Sequence, residues 1–392
     1  MELVVSSPMS NYQYIETIPQ LEAACETLLH SPVLALDTEF MREKTYYARL
    51  CLIQIASEDQ VYILDPLRLE HLQPLYELLY DPNILILLHA GRQDLELFYD
   101  LTGRIPAPVF DTQIAATLLG FADQIGYGAL VEKVLGVQLD KSHARTDWAQ
   151  RPLSDKQLAY AADDVVYLMQ LYPESDRRLK KLGREAWLTE DFAALSDPRL
   201  YQNDPAQSWQ RVSGHGRLKP RQLAALQGLA TWREQRAQQL DKPRKWILSD
   251  DVLLNLAQRL PDKAAKLTAI RGLPDSVVRD YGDQLLEAIR QARALPESEL
   301  PQTRDRFIPD RDQELLIDSL LLYLKYLAFN SQISPATLAN RKEVERLVRG
   351  ERDLALLKGW REHIAGQPML DMLEGKTVIH IHHGQLEIQN AS

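Results

Sequence analysis

Cysteine is nearly absent: Cys25 and Cys51 are the whole complement of a 392-residue chain. Two thiols build neither a disulfide framework nor a cysteine-rich metal site, and they read as small buried side chains in a reducing compartment. Long apolar runs are missing as well. A bilayer-spanning helix takes roughly 20 apolar residues, and no run of that length occurs. Residues 1–17 lack a basic stretch followed by an apolar one, so no secretory signal is expected and the predicted location is cytoplasmic. Nine histidines form no zinc-like cluster. His380 and His382 share one face of a predicted strand beside His383, yet no neighbouring cysteine or acid completes a site. An excess of positive charge is lacking too. The net charge is −10, which at first argues against a nucleic-acid partner.

What is present is a globular composition, 45% apolar and 26% charged, at a length that suggests two or three domains. The charge is unevenly spread. Residues 1–210 carry 17 Lys/Arg against 31 Asp/Glu, and residues 211–295 carry 16 against 9. An acidic module that gathers cations beside a basic module that meets phosphates would account for this asymmetry, and charge alone leaves it level with two ordinary solvated surfaces.

Early in the chain, strand and helix signals alternate. Residues 32–36 read as a short buried strand, and Arg49–Ala56 with Val61–Leu64 read as a hairpin around the polar turn 57–60. Residues 69–79 have helical spacing, 84–88 form another apolar strand, and Gly91 opens a helix to Leu101. From about Thr112 to Leu182 the pattern is helical. The expectation is a mixed sheet with helices on its faces, in a domain spanning 1–205. The polar, proline-bearing stretch 196–205 marks a boundary. A helical domain over 211–293 follows, and then a second one over 305–392 that ends in a hairpin around His383 and Gly384.

Asp37 and Glu39 end the first strand and, two residues apart, point to the same face. Paired carboxylates at the end of a buried strand are costly unless compensated, and a divalent cation compensates them well. Asp94 lies in the first turns of a helix. Tyr160 and Asp164 stand four residues apart on a predicted helix, so a phenol and a carboxylate share a face. Asp163 competes with Asp164, but it has Ala159 four residues before it; Tyr167 reads as core. Four carboxylates and a tyrosine suit phosphodiester hydrolysis with two Mg²⁺ or Mn²⁺ ions. With an ordinary pKa of about 10, Tyr160 orients water better than it removes a proton.

These motifs resemble the exonuclease superfamily with four acidic residues and a tyrosine (the DEDDy type). His89-Ala-Gly with Asp94-Leu95, Phe110-Asp-Thr-Gln113, Arg145-Thr-Asp-Trp148 and Arg151-Pro-Leu153 resemble the ribonuclease D family in particular, over residues 14–185. The resemblance implies a ribonuclease H-like fold and stepwise 3′→5′ removal of nucleoside 5′-monophosphates from RNA. It implies cation ligation by Asp37, Glu39, Asp94 and Asp164, with Tyr160 orienting water. Residues 211–293 resemble the helical domain that ribonuclease D shares with RecQ-type helicases (the HRDC domain). The matching segments are 218–223, 229–234, 246–251 and 267–272. Residues 310–375 are similar to a second such domain.

Lys141 and Arg145, in a basic loop, are candidates for phosphate contact, and so are Arg244, Lys245, Lys219, Arg221 and Arg271 in the basic module. Phe40 and Tyr46 are candidates for stacking on bases. The expected substrate is RNA with a free 3′ end, tRNA precursors above all, acted on by a monomer. A DNA exonuclease and a catalytically silent RNA-binding scaffold are the alternatives. Removal of residues 211–392 is expected to weaken binding and spare basal chemistry.

Overall fold

The computed structural model describes residues 12–140, 146–302 and 307–390. The chain divides into two compact units, and neither is continuous in sequence. One comprises residues 1–39, 50–200 and 309–392; the other comprises 40–49 and 201–308. The sequence reading sets 305–392 apart as its own domain, whereas these contacts group 309–392 with the first unit.

The first unit is built on a six-stranded mixed sheet. Its elements in chain order are β1 (Tyr12–Ile15), α1 (Ile18–Leu28), β2 (Val33–Met41), β3 (Arg49–Ala56), β4 (Val61–Leu64), α2 (Gln73–Leu79), β5 (Leu85–Leu88), α3 (Arg92–Thr102), β6 (Val109–Asp111), α4 (Thr112–Leu118), α5 (Tyr127–Leu135), α6 (Asp155–Leu182) and α7 (Leu188–Leu195). The sheet order is β1-β4-β3-β2-β5-β6. Strands β3 and β4 pair antiparallel as the expected hairpin, while β2–β5, β5–β6 and β1–β4 pair parallel. Burial marks the central strands: residues 50–56 of β3 are all buried, with Gln54 the one polar side chain among them, as are Leu34, Ala35 and Leu36 of β2. Strands covered on both faces lose the two-residue alternation and read as continuous apolar runs.

Helix α6 is the longest element of this unit. Ser154 caps it, its hydroxyl accepting from Gln157 N at 3.3 Å while the Gln157 amide reaches back. Gly183, left-handed at φ 64°, ends it. The segment before α6 is fastened by Arg151. Its guanidinium donates to both carboxylate oxygens of Asp65 (2.5 and 2.8 Å) and to the carbonyls of Cys51, Trp148 and Gln150. The Tyr14 hydroxyl donates to the same carboxylate, whose side chain is fully buried.

The second unit holds α8 (Pro220–Gln239), α9 (Arg244–Ile247), α10 (Asp250–Arg259), α11 (Ala264–Leu267) and α12 (Asp275–Ala294) around an apolar core that includes Leu226, Leu229, Leu253, Leu256, Leu285 and Ile289. Residues 309–390 contribute α13 (Arg311–Asn330), α14 (Pro335–Leu338), α15 (Arg341–Val348), α16 (Gly359–Arg361), α17 (Gln367–Leu373) and the hairpin β7 (Thr377–His382) with β8 (Gln385–Asn390). The lengths of α13, α14 and α15 (20, 4 and 8 residues) follow those of α8, α9 and α10 (20, 4 and 10). The intervening gaps match as well. The C-terminal segment packs within the first unit. Arg184 donates to the carbonyls of Leu118, Ser331 and Gln332, Trp187 stacks on Trp360 at 4.6 Å, and Arg361 donates to Asp191 at 2.9 Å.

In the hairpin, Glu387 stands across from His380 and within 3.2 Å of its ring, with His382 at 3.4 Å. Sequence spacing hides that cross-strand acid. No helix among the described residues is long and apolar enough to cross a membrane.

Candidate active site

Asp37 and Glu39 leave the same side of β2, and Thr38 between them is buried. Asp164, about two turns into α6, joins them. One carboxylate oxygen from each of the three lies within 4.8 Å of the others. Among the described residues this is the one group of three such side chains gathered closely enough to hold a metal ion. The group includes Asp164 and not its neighbour Asp163. Tyr160 is half-buried with its ring 6.2 Å from that of Trp148. Burial, and then the charges of Asp164, Glu39 and Asp37, push its phenol up, so it is a proton donor at neutral pH. Tyr167 is core, as expected.

Asp94 lies outside the three-acid group. It is the third residue of α3, buried, and accepts a hydrogen bond from the Thr38 hydroxyl. Thus the residue between the two strand acids holds the fourth acid beside them. The entry to α3 is tight. A Cβ on Gly91 would lie 2.6 Å from Leu88 Cβ, which requires glycine there.

The position of Asp94 also depends on Asp111, which the site-residue reading passes over. Its carboxylate accepts from Ala90 N (3.1 Å), Gly91 N (2.8 Å), Gln113 N (2.8 Å) and Ile114 N (3.3 Å). One side chain therefore caps α4 and fixes the turn into α3, where Ala90 adopts φ 56°. The signal was legible: an acid directly before a helical run, in the Phe110-Asp-Thr-Gln113 motif. Asp111→Ala is expected to destabilise the protein by about 2 kcal/mol. It should also weaken Mn²⁺ binding, because the turn leading to Asp94 loosens; thermal melts and cation titration check both.

The electrostatics are those of crowded acids. Burial, then Asp164 and Asp94, pushes Asp37 well above the usual carboxylate range. Burial, then Asp37 and Asp94, pushes Glu39 up to about 9. Burial, then Glu39 and Asp163, raises Asp164 strongly. Asp94 reaches about 6 through burial, held back by the Thr38 hydroxyl. The groups that raise Asp37, Glu39 and Asp164 besides burial are other carboxylates. A donor set of hard oxygens whose mutual repulsion lacks a compensating charge fits a divalent cation.

Among the basic candidates, Lys141 and Arg145 lie outside the described residues. Arg244 donates to buried Glu234 at 2.8 Å, and Arg221 donates to the carbonyls of Ala292, Arg293 and Leu295. Both are engaged in holding the helical unit together. Lys245, Lys219 and Arg271 are exposed. Tyr46 is no open stacking surface, since its hydroxyl donates to Glu234 and its ring meets Tyr47 edge-on. The Phe40 ring lies 6.0 Å from the Arg42 guanidinium.

Comparison with known proteins accords with this arrangement. The 3′-5′ exonuclease family matches residues 12–180, and the HRDC domain matches residues 222–289. The chain is 40% identical over 370 residues to a ribonuclease D of Sphingobium indicum, covering 93% of this chain and 95% of that one. It is also 40% identical over 371 residues to a ribonuclease D of Zymomonas mobilis, covering 93% and 95%. The crystal structure of Escherichia coli RNase D, described as an exoribonuclease involved in structured RNA processing, superposes with a TM-score of 0.83 at 32% identity. That match covers 93% of this chain and 99% of that one. With an exonuclease sheet that gathers acids for a divalent cation and a helical module beyond it, the chain belongs to the ribonuclease D family of hydrolytic 3′→5′ exoribonucleases.

Proposed function

We propose that Asp37, Glu39 and Asp164 ligate two divalent cations, Mg²⁺ or Mn²⁺, with Asp94 completing the set. The meeting of three carboxylates within 4.8 Å carries this reading. Asp94 joins as a ligand directly or through water, its orientation set by Thr38. Bound there, the cations supply the positive charge that activates a water and neutralises the departing 3′ oxygen. Tyr160 donates from its phenol to orient that water, and its raised pKa keeps the proton in place.

The substrate on this reading is RNA with a free 3′ end, tRNA precursors in particular, handled in the cytoplasm by a monomer. Lys245, Lys219 and Arg271 meet the RNA backbone without reading sequence; Lys141 and Arg145 are assigned to phosphates near the reacting end. Residues 309–373 act as a diverged second copy of the helical module, which the matching helix lengths support. Neither a DNA exonuclease nor a silent scaffold accounts for the ribonuclease D relatives as well.

The test is a tRNA precursor with a short 3′ extension, incubated with Mg²⁺ or Mn²⁺ beside a DNA strand of the same sequence. Stepwise shortening with release of 5′-monophosphates, stopped by a chelator, is the expected result. DNA degradation at an equal or faster rate overturns the substrate assignment.

A further inference from the structure

Phe40 to Arg49 follow Glu39 directly in the chain, yet they belong to the compact unit of residues 201–308. They are fastened there by side chains of α8 and its C-terminal turn. The Tyr46 hydroxyl donates to Glu234 Oε1 at 2.6 Å, and Gln238 Nε2 donates to the Tyr46 oxygen at 3.2 Å. The backbone N–H groups of Tyr46 and Tyr47 both donate to Asp241 Oδ1, at 3.0 and 3.1 Å. Arg244 donates to the same Glu234 oxygen at 2.8 Å, and its guanidinium lies 5.7 Å from the Tyr46 ring centre.

Glu234 is 1% exposed. A carboxylate buried so deeply is costly unless it is paired and hydrogen-bonded. Here its partners are a tyrosine from the 40–49 loop, an arginine from α9 and, at 3.8 Å, Arg211. Burial and the Glu234 carboxylate push the Tyr46 phenol up to about 12, so it remains a donor at neutral pH. Ordinary connecting loops run over the surface without such anchors. This one is held by two carboxylates, one of them almost fully buried.

We propose that Tyr46, Glu234 and Asp241 are positioning residues for the exonuclease reaction, holding the loop that leaves β2 and thereby fixing where Asp37 and Glu39 stand. The inference rests on Asp37 and Glu39 being cation ligands. Chain continuity carries it: β2 runs without a break from Val33 to Met41, so fastening the residues after Glu39 constrains the strand end that bears both acids. The basic helical module then has a task in turnover as well as in RNA binding. Arg244, a candidate for phosphate contact by charge, serves the clamp instead. Removal of residues 211–392 on this view lowers turnover and weakens binding together, which charge distribution alone does not suggest.

The experiment uses the full chain with Tyr46→Phe, Glu234→Gln, the double variant and Asp37→Asn. The readouts are kcat and KM on a single-stranded oligoribonucleotide, Mn²⁺ affinity by paramagnetic resonance, and thermal melts. Displacing a reacting group by 1 Å costs about 10²-fold, and removing an outer partner of a cation ligand weakens affinity about 10–100-fold. Tyr46→Phe and Glu234→Gln are therefore expected to lower kcat and Mn²⁺ affinity about 10-fold each with KM nearly unchanged. The double variant should be little worse than either single one, because each single change already weakens the Tyr46–Glu234 hydrogen bond that ties the loop to α8. A rise in KM alone, with kcat and Mn²⁺ affinity intact, overturns the proposal in favour of RNA contact. A lowered melting temperature with intact kcat and Mn²⁺ affinity at low temperature overturns it in favour of a structural role. Asp37→Asn separates the tether from the site: if it keeps full Mn²⁺ binding, the ligand assignment itself fails. If Asp37→Asn loses Mn²⁺ while Tyr46→Phe and Glu234→Gln behave as wild type, the tether alone fails.

Discussion

Asp164→Asn should lower turnover on the order of 10²–10³-fold, the range for loss of a group that stabilises transition-state charge, and should make the cation-free protein more stable. The second half follows from the crowding of the acids. Burial raises Asp37, Glu39 and Asp164; beyond burial, Glu39 raises Asp164, and Asp164 raises Asp37. A carboxyl whose folded pKa lies above its unfolded value binds more protons folded than unfolded throughout the interval between the two. Stability therefore falls as pH rises across that interval. For Glu39 the interval runs from the ordinary carboxylate range up to about 9. Without cations, the melting temperature of wild type should decline from about pH 5 to about pH 9, and Asp164→Asn should flatten the decline. Added Mn²⁺ should raise the wild-type melting temperature most at the alkaline end, where the acids are deprotonated, and the variant should respond less. RNA binding, measured by filter retention, should survive the substitution. Full turnover in Asp164→Asn, or a melting temperature of wild type that stays flat with pH, would refute this account.

The second large effect lies at Arg151. Its guanidinium joins the segment before α6 to Asp65 at the end of β4 and to the carbonyl of Cys51. Asp65 has no side-chain exposure. Burial alone would raise its pKa, but hydrogen bonds from Arg151 and Tyr14 outweigh burial and hold it below the ordinary range. Arg151→Met leaves that carboxylate with Tyr14, one backbone N–H and only the half-exposed Arg68 guanidinium at 3.9 Å, a loss of about 3 kcal/mol. Asp65→Asn in the same chain should restore part of it, since no charge is then stranded. The pH sign is opposite to that of the active site. A depressed folded pKa gives stability that is present above the ordinary carboxylate range and is lost as the solution is acidified through the folded value. Denaturant melts at neutral and acid pH check both points. A wild-type midpoint for Arg151→Met at neutral pH contradicts the argument.

Much of this site was readable before any coordinates because its spacings are local. Asp37 and Glu39 obey the strand period, and Tyr160 and Asp164 obey the helix period, so each pair declares a shared face without knowledge of the fold. The hairpin of β3 and β4 was equally plain from two apolar runs around a polar turn. Strand β6 escaped because three residues are too few to show a period, and β1 because Tyr12-Gln-Tyr-Ile15 lacks the continuous apolar run that marks β4 and β5. The turn of Asp94 toward Thr38 was hidden because it joins residues 56 apart in sequence, beyond the reach of any local spacing. Arg244 and Arg221 looked like phosphate ligands from charge alone; burial of Glu234 and the exposed carbonyls at the end of α12 claim them first. Long-range pairing is also why residues 309–392 and 40–49 changed company relative to the boundaries drawn from composition.

The discontinuity of the first unit bears on the order in which the chain is made. Ribosomes deliver a protein from its N-terminus at about 5–20 residues per second. The exonuclease sheet therefore emerges well before Ser331, Trp360 and Arg361, the partners of Arg184, Trp187 and Asp191. During that interval the carbonyls of Ser331 and Gln332 are not yet available to the Arg184 guanidinium, and the Trp187 indole lacks its stacking partner. The helical insert of residues 201–308 has its own core and is finished first. Synthesis thus leaves a nascent nuclease without its final wall until the last fifth of the chain has been translated.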